Sequence, residues 1–322
     1  MEMQETTTTR VNALIDPSMH IWHYEVPVYL FLGGLVAGLM VIAGLWMLRD
    51  PDSPRSRALQ FLPWAAPVLI SVGMLFLWLD LENPFNAFRF YFTFELTSPM
   101  SWGSWILLGV YPASIMLAWA STPADTRDRW LARLARVPGL GRLDTWVSGH
   151  VPALAGLNVA LGVALGVYTG VLLGTMAARP LWNSAILGPL FLVSGLSTGA
   201  AFMMLYRLDR REKEMLSRVD MGLISVELLL LALWMIGLAA GGAASRAGLH
   251  TIMGGPYTAA FWTLVVALGL LTPLIGEWIE HKHSAVPARL TAALVLIGGL
   301  ALRWIIVYAG QHSGWVSDLA SR

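Results

Sequence analysis

Apolar stretches of about 20 residues alternate with short polar connections along the whole chain. They cover residues 26–48, 61–79, 100–120, 151–177, 181–206, 221–240, 257–275 and 287–308. A hydrocarbon core ~30 Å thick needs about 20 apolar residues at a helical rise of ~1.5 Å each, so every stretch is long enough to cross a bilayer. No water reaches the middle of a bilayer to satisfy peptide groups, which selects helices over open strands. The pattern predicts an all-α integral membrane protein with eight transmembrane helices.

Orientation follows from the basic residues. The connections after spans 1, 3, 5 and 7 hold 15 of the 21 lysines and arginines, among them Arg49, Arg127, Arg142, Arg211 and Lys213. The opposite side holds five, and Arg303 lies inside span 8. The positive-inside rule then places both termini outside, which in a bacterial inner membrane is the periplasm. Two stretches 161 residues apart look alike: Gly33-Gly34-Leu35-Val36-Ala37-Gly38 in span 1 and Ser194-Gly195-Leu196-Ser197-Thr198-Gly199 in span 5. Spans 4 and 8 share Val167-Tyr168-Thr169-Gly170 and Val307-Tyr308-Ala309-Gly310. These matches point to two four-helix bundles, 26–178 and 179–310, related by a parallel internal repeat. A periplasmic segment, 1–25, precedes them, and a periplasmic tail, 311–322, follows. Close packing through small residues accounts for the glycines with or without a repeat.

Composition narrows the chemistry. Hydrophobic residues make up 56% and charged residues 13%, against about 25% charged in soluble domains. A net charge of +1 gives no hint of a nucleic-acid partner. The protein has no cysteine, which excludes disulfides, thiolate zinc sites and cysteine-ligated iron–sulfur clusters. Any electron chemistry must use a bound molecule or a partner subunit. None of the seven histidines falls mid-span, so a transmembrane haem pair is not expected. No motif for metal binding, nucleotide binding or nucleophilic catalysis stands out. Residues 1–17 are polar and lack the layout of a signal peptide.

Ionisable groups in or beside the spans are few. Each costs ~2.5–3.5 kcal/mol at the bilayer centre, so each should face the interior with a partner. Glu227 lies in span 6, Arg303 in span 8, and Glu277 with Glu280 at the inner end of span 7. Asp80 and Glu82 flank the outer end of span 2. These groups are read either as structural pairs and solvated helix ends, or as a proton path through Glu227, Arg303, Glu82 and Glu277. The outer end of the first half gathers His20, Trp22, His23, Tyr24, Glu25, Tyr29, Asp80, Asn83 and Tyr168. Quinone chemistry moves two electrons and two protons and needs donors to two carbonyl oxygens beside acid–base groups. Interfacial anchoring by Trp and Tyr is the rival account. The connection 80–99 is too polar to span and rich in Phe; it suits an interfacial segment, a partner-covered one or an aromatic belt.

Four stretches carry a family likeness. They are Trp22-His23-Tyr24-Glu25-Val26-Pro27 running into Tyr29 and Gly33-Gly34; Leu79-Asp80-Leu81-Glu82-Asn83-Pro84 with Ser98-Pro99-Met100-Ser101-Trp102-Gly103; Tyr168-Thr169-Gly170 with Pro180-Leu181-Trp182-Asn183; and Leu302-Arg303 leading to Ala309-Gly310-Gln311. In these the protein resembles the NrfD/PsrC-like membrane subunits of bacterial respiratory oxidoreductases, from about Trp22 to Gln311. The resemblance implies a haem-free membrane anchor that binds menaquinone or ubiquinone near the periplasmic face. It also implies a docked ferredoxin-like iron–sulfur subunit and, through it, a catalytic subunit of molybdopterin or multihaem type.

Tyr29, Tyr168 and Asn83 are the quinone-binding candidates; Tyr29 and Tyr168 match the family's quinone-gripping positions. The family's best-described member has a histidine where this sequence has Tyr29. Tyrosine donates a hydrogen bond but takes up no proton near neutral pH, which leaves His23, Glu25 and Asp80 as acid–base candidates. A proton-translocating or purely anchoring subunit is the alternative.

Overall fold

The computed structural model describes residues 22–50, 55–81, 83–92, 94–134, 138–176, 178–283 and 288–313, without the side chains at 90, 280–283 and 288. Among the described residues, eight helices are long and apolar enough to cross a membrane: Glu25–Arg49, Arg57–Asp80, Pro99–Ser121, Val151–Gly174, Leu187–Met204, Arg210–Ala240, Thr258–Ile279 and Arg289–His312. We number them span 1 to span 8. The protein is an all-α, multi-pass membrane protein, with no strand among the described residues.

Spans 1 and 5 are the most buried and spans 2 and 6 the least. Span 1 packs on spans 2, 4, 5 and 8, and span 5 packs on spans 1, 4, 6 and 8. One apolar core runs through both halves, with Leu30, Leu39, Leu117, Leu173, Phe191, Trp234 and Phe261 buried in it. Spans 1 and 5 meet at their glycines: a Cβ on Gly38 would overlap the Gly195 carbonyl, and one on Gly199 would crowd Gly38. A Cβ on Gly195 would likewise crowd the Gly34 carbonyl. Gly34 meeting Gly195 while Gly38 meets Gly199 requires the two spans to run in the same direction. In a bilayer, where lipid tails are as apolar as leucine, such close backbone approach drives helix association through van der Waals contact.

The ends of several spans differ from the hydropathy pattern. Span 6 begins at Arg210 instead of residue 221, so its first turns project beyond the apolar stretch. A capping box starts it: Asp209 accepts from the N3 backbone, and Glu212 Oε2 accepts from the Asp209 N–H at 3.0 Å. Glu212 Oε1 also accepts from the Ser56 N–H at 2.7 Å, and Arg211 pairs with Asp50 at 3.1 Å. Together with Arg57 and Asp125 at 3.9 Å, these contacts gather the connections after spans 1, 3 and 5 at one arginine-rich end. Span 5 starts at Leu187 instead of 181; Leu181 and Trp182 are apolar because a turn buries them fully.

Span 7 is π-helical over Phe261–Leu271, and the Thr272 N–H reaches back five residues to the Ala267 carbonyl. Gly269 lies there against Gly298 of span 8, with no room for a Cβ on either. In the connection 81–98, Pro84–Asn86 and Arg89–Phe92 form short helical turns, and Phe85, Phe88, Phe92 and Phe94 are exposed.

Candidate functional site

Two groups of polar residues stand out, one at the end opposite the arginine-rich connections and one in the interior of spans 5 to 8. The first is built on the start of span 1. Its helix opens at Glu25, whose carboxylate is favoured in a first turn by the helix dipole. Pro27 sits where a missing N–H costs nothing. Glu25 and Tyr29, four residues apart, lie on one face. Glu25 is half-buried, and its Oε2 is enclosed without a hydrogen-bond partner. The Glu25 carboxylate beside the exposed Tyr24 phenol holds that phenol above the usual tyrosine range.

Tyr29 lies within electrostatic reach of Tyr168 and Asp80, and Asp80 within reach of Glu25 and His23. Spans 1, 2 and 4 therefore bring His23, Glu25, Tyr29, Asp80 and Tyr168 into one neighbourhood. Span 3 completes it: the Tyr168 phenol occupies the space that a Cβ on Gly103 would need. Neither the Tyr29 nor the Tyr168 hydroxyl has a hydrogen-bond partner among the described residues. Two phenol donors thus stand free beside three acid–base groups. Asn83 is exposed, and its carbonyl accepts from the Asn86 N–H at 3.0 Å. Glu82 and His20 lie outside the described residues, as do the side chains of Glu280, His281 and His283.

The second group centres on Arg303, which is fully buried. Its Nη1 donates to Ser194 Oγ at 2.7 Å and to the Gly299 carbonyl at 2.9 Å, and Nη2 donates to the Phe191 carbonyl at 3.2 Å. Its guanidinium also lies 5.2 Å from the Phe191 ring centre. Glu227 lies beside Ser194 and interacts electrostatically with Arg303. One helical turn from Ser194, Ser197 donates to Asp220 Oδ1 at 2.5 Å. Asp220 adjoins Glu277 and interacts with Glu227, while Ser217 donates to Glu277 Oε2 at 3.1 Å. Spans 5 to 8 thereby hold a continuous polar series from Arg303 to Ser217.

Asp220 is the member that hydropathy missed, because it stands one residue before the apolar stretch of span 6. The signal was its spacing: Asp220 and Glu227 are seven residues apart and share one buried stripe with Glu212, Leu216, Ile224 and Leu231. Among the described residues no group of three or more His, Cys, Asp or Glu is placed to hold a metal ion.

Comparison with known proteins agrees with this architecture. The family model described as Polysulphide reductase, NrfD matches residues 14–313. Protein NrfD of Escherichia coli (strain K12) is 32% identical over 308 residues, which cover 90% of this sequence and 95% of that protein. The C subunit of polysulfide reductase from Wolinella succinogenes is 30% identical over 308 residues, covering 90% and 94%. Protein NrfD homolog of Haemophilus influenzae is 27% identical over 318 residues, covering 90% and 94%. With one model matching nearly its full length and two relatives at 30% identity or above, the protein belongs to the NrfD/polysulphide reductase family.

Proposed function

We propose that this protein anchors a respiratory complex in the bacterial inner membrane and exchanges electrons between the quinone pool and an iron–sulfur partner at the periplasmic face. The observation that carries this reading is the pair of unpartnered phenols, Tyr29 and Tyr168, beside Asp80, Glu25 and His23. Each phenol donates to one oxygen of a menaquinone or ubiquinone ring entering from the bilayer. Oxidation of a quinol releases two protons and two electrons. His23, Glu25 and Asp80 at the rim take the protons, since a tyrosine keeps its own near neutral pH. The electrons leave for a ferredoxin-like subunit, because the protein has no cysteine to ligate a cluster. A catalytic subunit of molybdopterin or multihaem type completes the complex. Family membership and the likeness to a subunit of polysulfide reductase support these partners.

Tyr29→Phe and Tyr168→Phe test the site. Losing one such hydrogen bond costs ~0.5–1.5 kcal/mol, and more where charge develops. Quinone-coupled turnover of the assembled complex should fall at least several-fold in each variant. Activity with an artificial dye at the partner subunits should stay unchanged. If both variants keep wild-type quinone kinetics, the site lies elsewhere.

A second reading, proton translocation or anchoring without quinone turnover, is favoured by the buried series of Arg303, Ser194, Glu227, Asp220 and Glu277. It predicts the opposite pattern, with silent phenol variants and a Glu227→Gln variant that loses proton coupling.

In either case we read both termini as periplasmic and the connection 127–142 as cytoplasmic, from the distribution of arginines. Alkaline phosphatase fused at the C-terminus should be active, and the same reporter within 127–142 inactive; the reverse pattern would overturn this orientation. We also read 26–178 and 179–310 as two bundles related by duplication. The glycine motifs of spans 1 and 5, 161 residues apart in sequence and packed on one another, support that reading.

A further inference from the structure

Span 8 holds the segment that leads into span 1. The Gln311 side chain, 4% exposed, accepts from the Trp22 N–H at 3.0 Å and donates back to the Trp22 carbonyl at 2.9 Å. Arg179 Nη1 donates to the Gln311 carbonyl at 3.2 Å. The Trp22 ring stacks on Trp182 at 5.2 Å and 26°, and Trp182 Nε1 donates to the Ile306 carbonyl at 2.7 Å. A Cβ on Gly310 would overlap that indole, so the close seat of Trp182 depends on the glycine. The lead-in segment, the turn between spans 4 and 5, and the end of span 8 are thus tied in one knot.

Two hydrogen bonds from one rigid amide to one residue's backbone fix its orientation as well as its place. Trp22 precedes the helix, so its peptide groups have no partners within span 1. No other hydrogen bond ties Trp22 or His23 to the protein among the described residues. His23 follows Trp22 directly, and Glu25 stands three residues on, both within reach of Asp80.

We propose that Gln311 is a positioning residue of the quinone site: by clamping the Trp22 backbone it sets His23 and Glu25 in register with Asp80. This rests on the quinone reading given above. A plain staple between the two ends of the bundle would stabilise the fold and leave the chemistry untouched, so the test must separate the two.

Gln311→Leu removes both bonds at similar bulk, and Gln311→Glu keeps the acceptor for the Trp22 N–H and loses the donor. In the assembled complex, Gln311→Leu should raise the KM for quinone roughly threefold or more and displace the pH profile of quinone-coupled kcat. Gln311→Glu should shift both in the same direction by less. Dye-linked activity at the partner subunits should not change in either. Hydrogen–deuterium exchange of the peptide covering residues 22–26 should quicken in Gln311→Leu, independently of turnover.

Faster exchange with unchanged KM and pH profile would make Gln311 a staple and overturn the proposal. Unchanged exchange would overturn the clamp itself. Should Gln311→Leu fail to assemble, Gln311→Glu carries the same comparison, and wild-type KM and pH profile there overturn the proposal. Tyr29→Phe serves as the reference. Slowed Tyr29→Phe beside normal Gln311 variants sinks only this inference, whereas wild-type kinetics in both phenol variants sink the site.

Discussion

Arg303→Met is expected to prevent the protein from accumulating folded in the membrane. The guanidinium is fully buried, donates to Ser194, Gly299 and Phe191, and faces Glu227, itself 3% exposed. Methionine fills similar volume but leaves the Glu227 carboxyl without its counter-charge. Breaking a buried pair from one side costs ~3–5 kcal/mol, a large part of the ~5–15 kcal/mol that holds a typical fold. Removing both charges is far cheaper, because no charge is then left uncompensated. The double variant Arg303→Met with Glu227→Gln should therefore recover most of the lost yield. Monodisperse protein by size-exclusion chromatography and the thermal midpoint in detergent give the readout. A single variant as stable as wild type would show that the guanidinium does not hold Glu227.

Gly103→Ala should cut quinone-coupled kcat/KM by roughly an order of magnitude or more while the protein still folds. The Tyr168 phenol lies where the new methyl group would go, with both its oxygen and ring carbons in the way. The ring must move by about 1 Å to clear it, and a displacement of that size at a reacting centre can cost ~10²-fold. The variant keeps the hydroxyl, so it tests position separately from hydrogen bonding. Gly109→Ala, on the same span, is the control: its Cβ would meet only the tip of Leu161, at 3.3 Å. Gly109→Ala should turn over normally. Wild-type kinetics in Gly103→Ala would remove Tyr168 from the site.

All eight spans could be read from hydropathy, because a bilayer imposes length and polarity directly on the sequence. Their ends could not. Hydropathy reports the stretch that lipid and core require to be apolar, and a helix continues as long as its caps allow. Span 6 runs back to the capping box of Asp209 and Glu212, and this draws Asp220 into the buried stripe. Span 5 shows the opposite error: Leu181 and Trp182 are apolar for the sake of a buried turn. At the candidate site, residue types and the end of the bundle were legible, since phenols, carboxyls and a histidine cluster near the start of span 1. The seat that Gly103 gives Tyr168, and the clamp of Gln311 on Trp22, were not. Both are contacts between distant spans, and neither leaves a local pattern in the sequence.

Span 7 has a different tolerance to insertion and deletion from the rest of the bundle. A turn closed by i→i−5 bonds holds one residue more than an α-helical turn, so Phe261–Leu271 carries surplus residues. Deleting one of them lets a turn revert to the α pattern, and Glu277 beyond it can still face Ser217 and Asp220. The same deletion in span 1 has no slack to draw on and would carry Gly34 and Gly38 off Gly195 and Gly199. Single-residue gaps between this protein and its relatives should accordingly gather in span 7, where length drifts without disturbing the interfaces on either side.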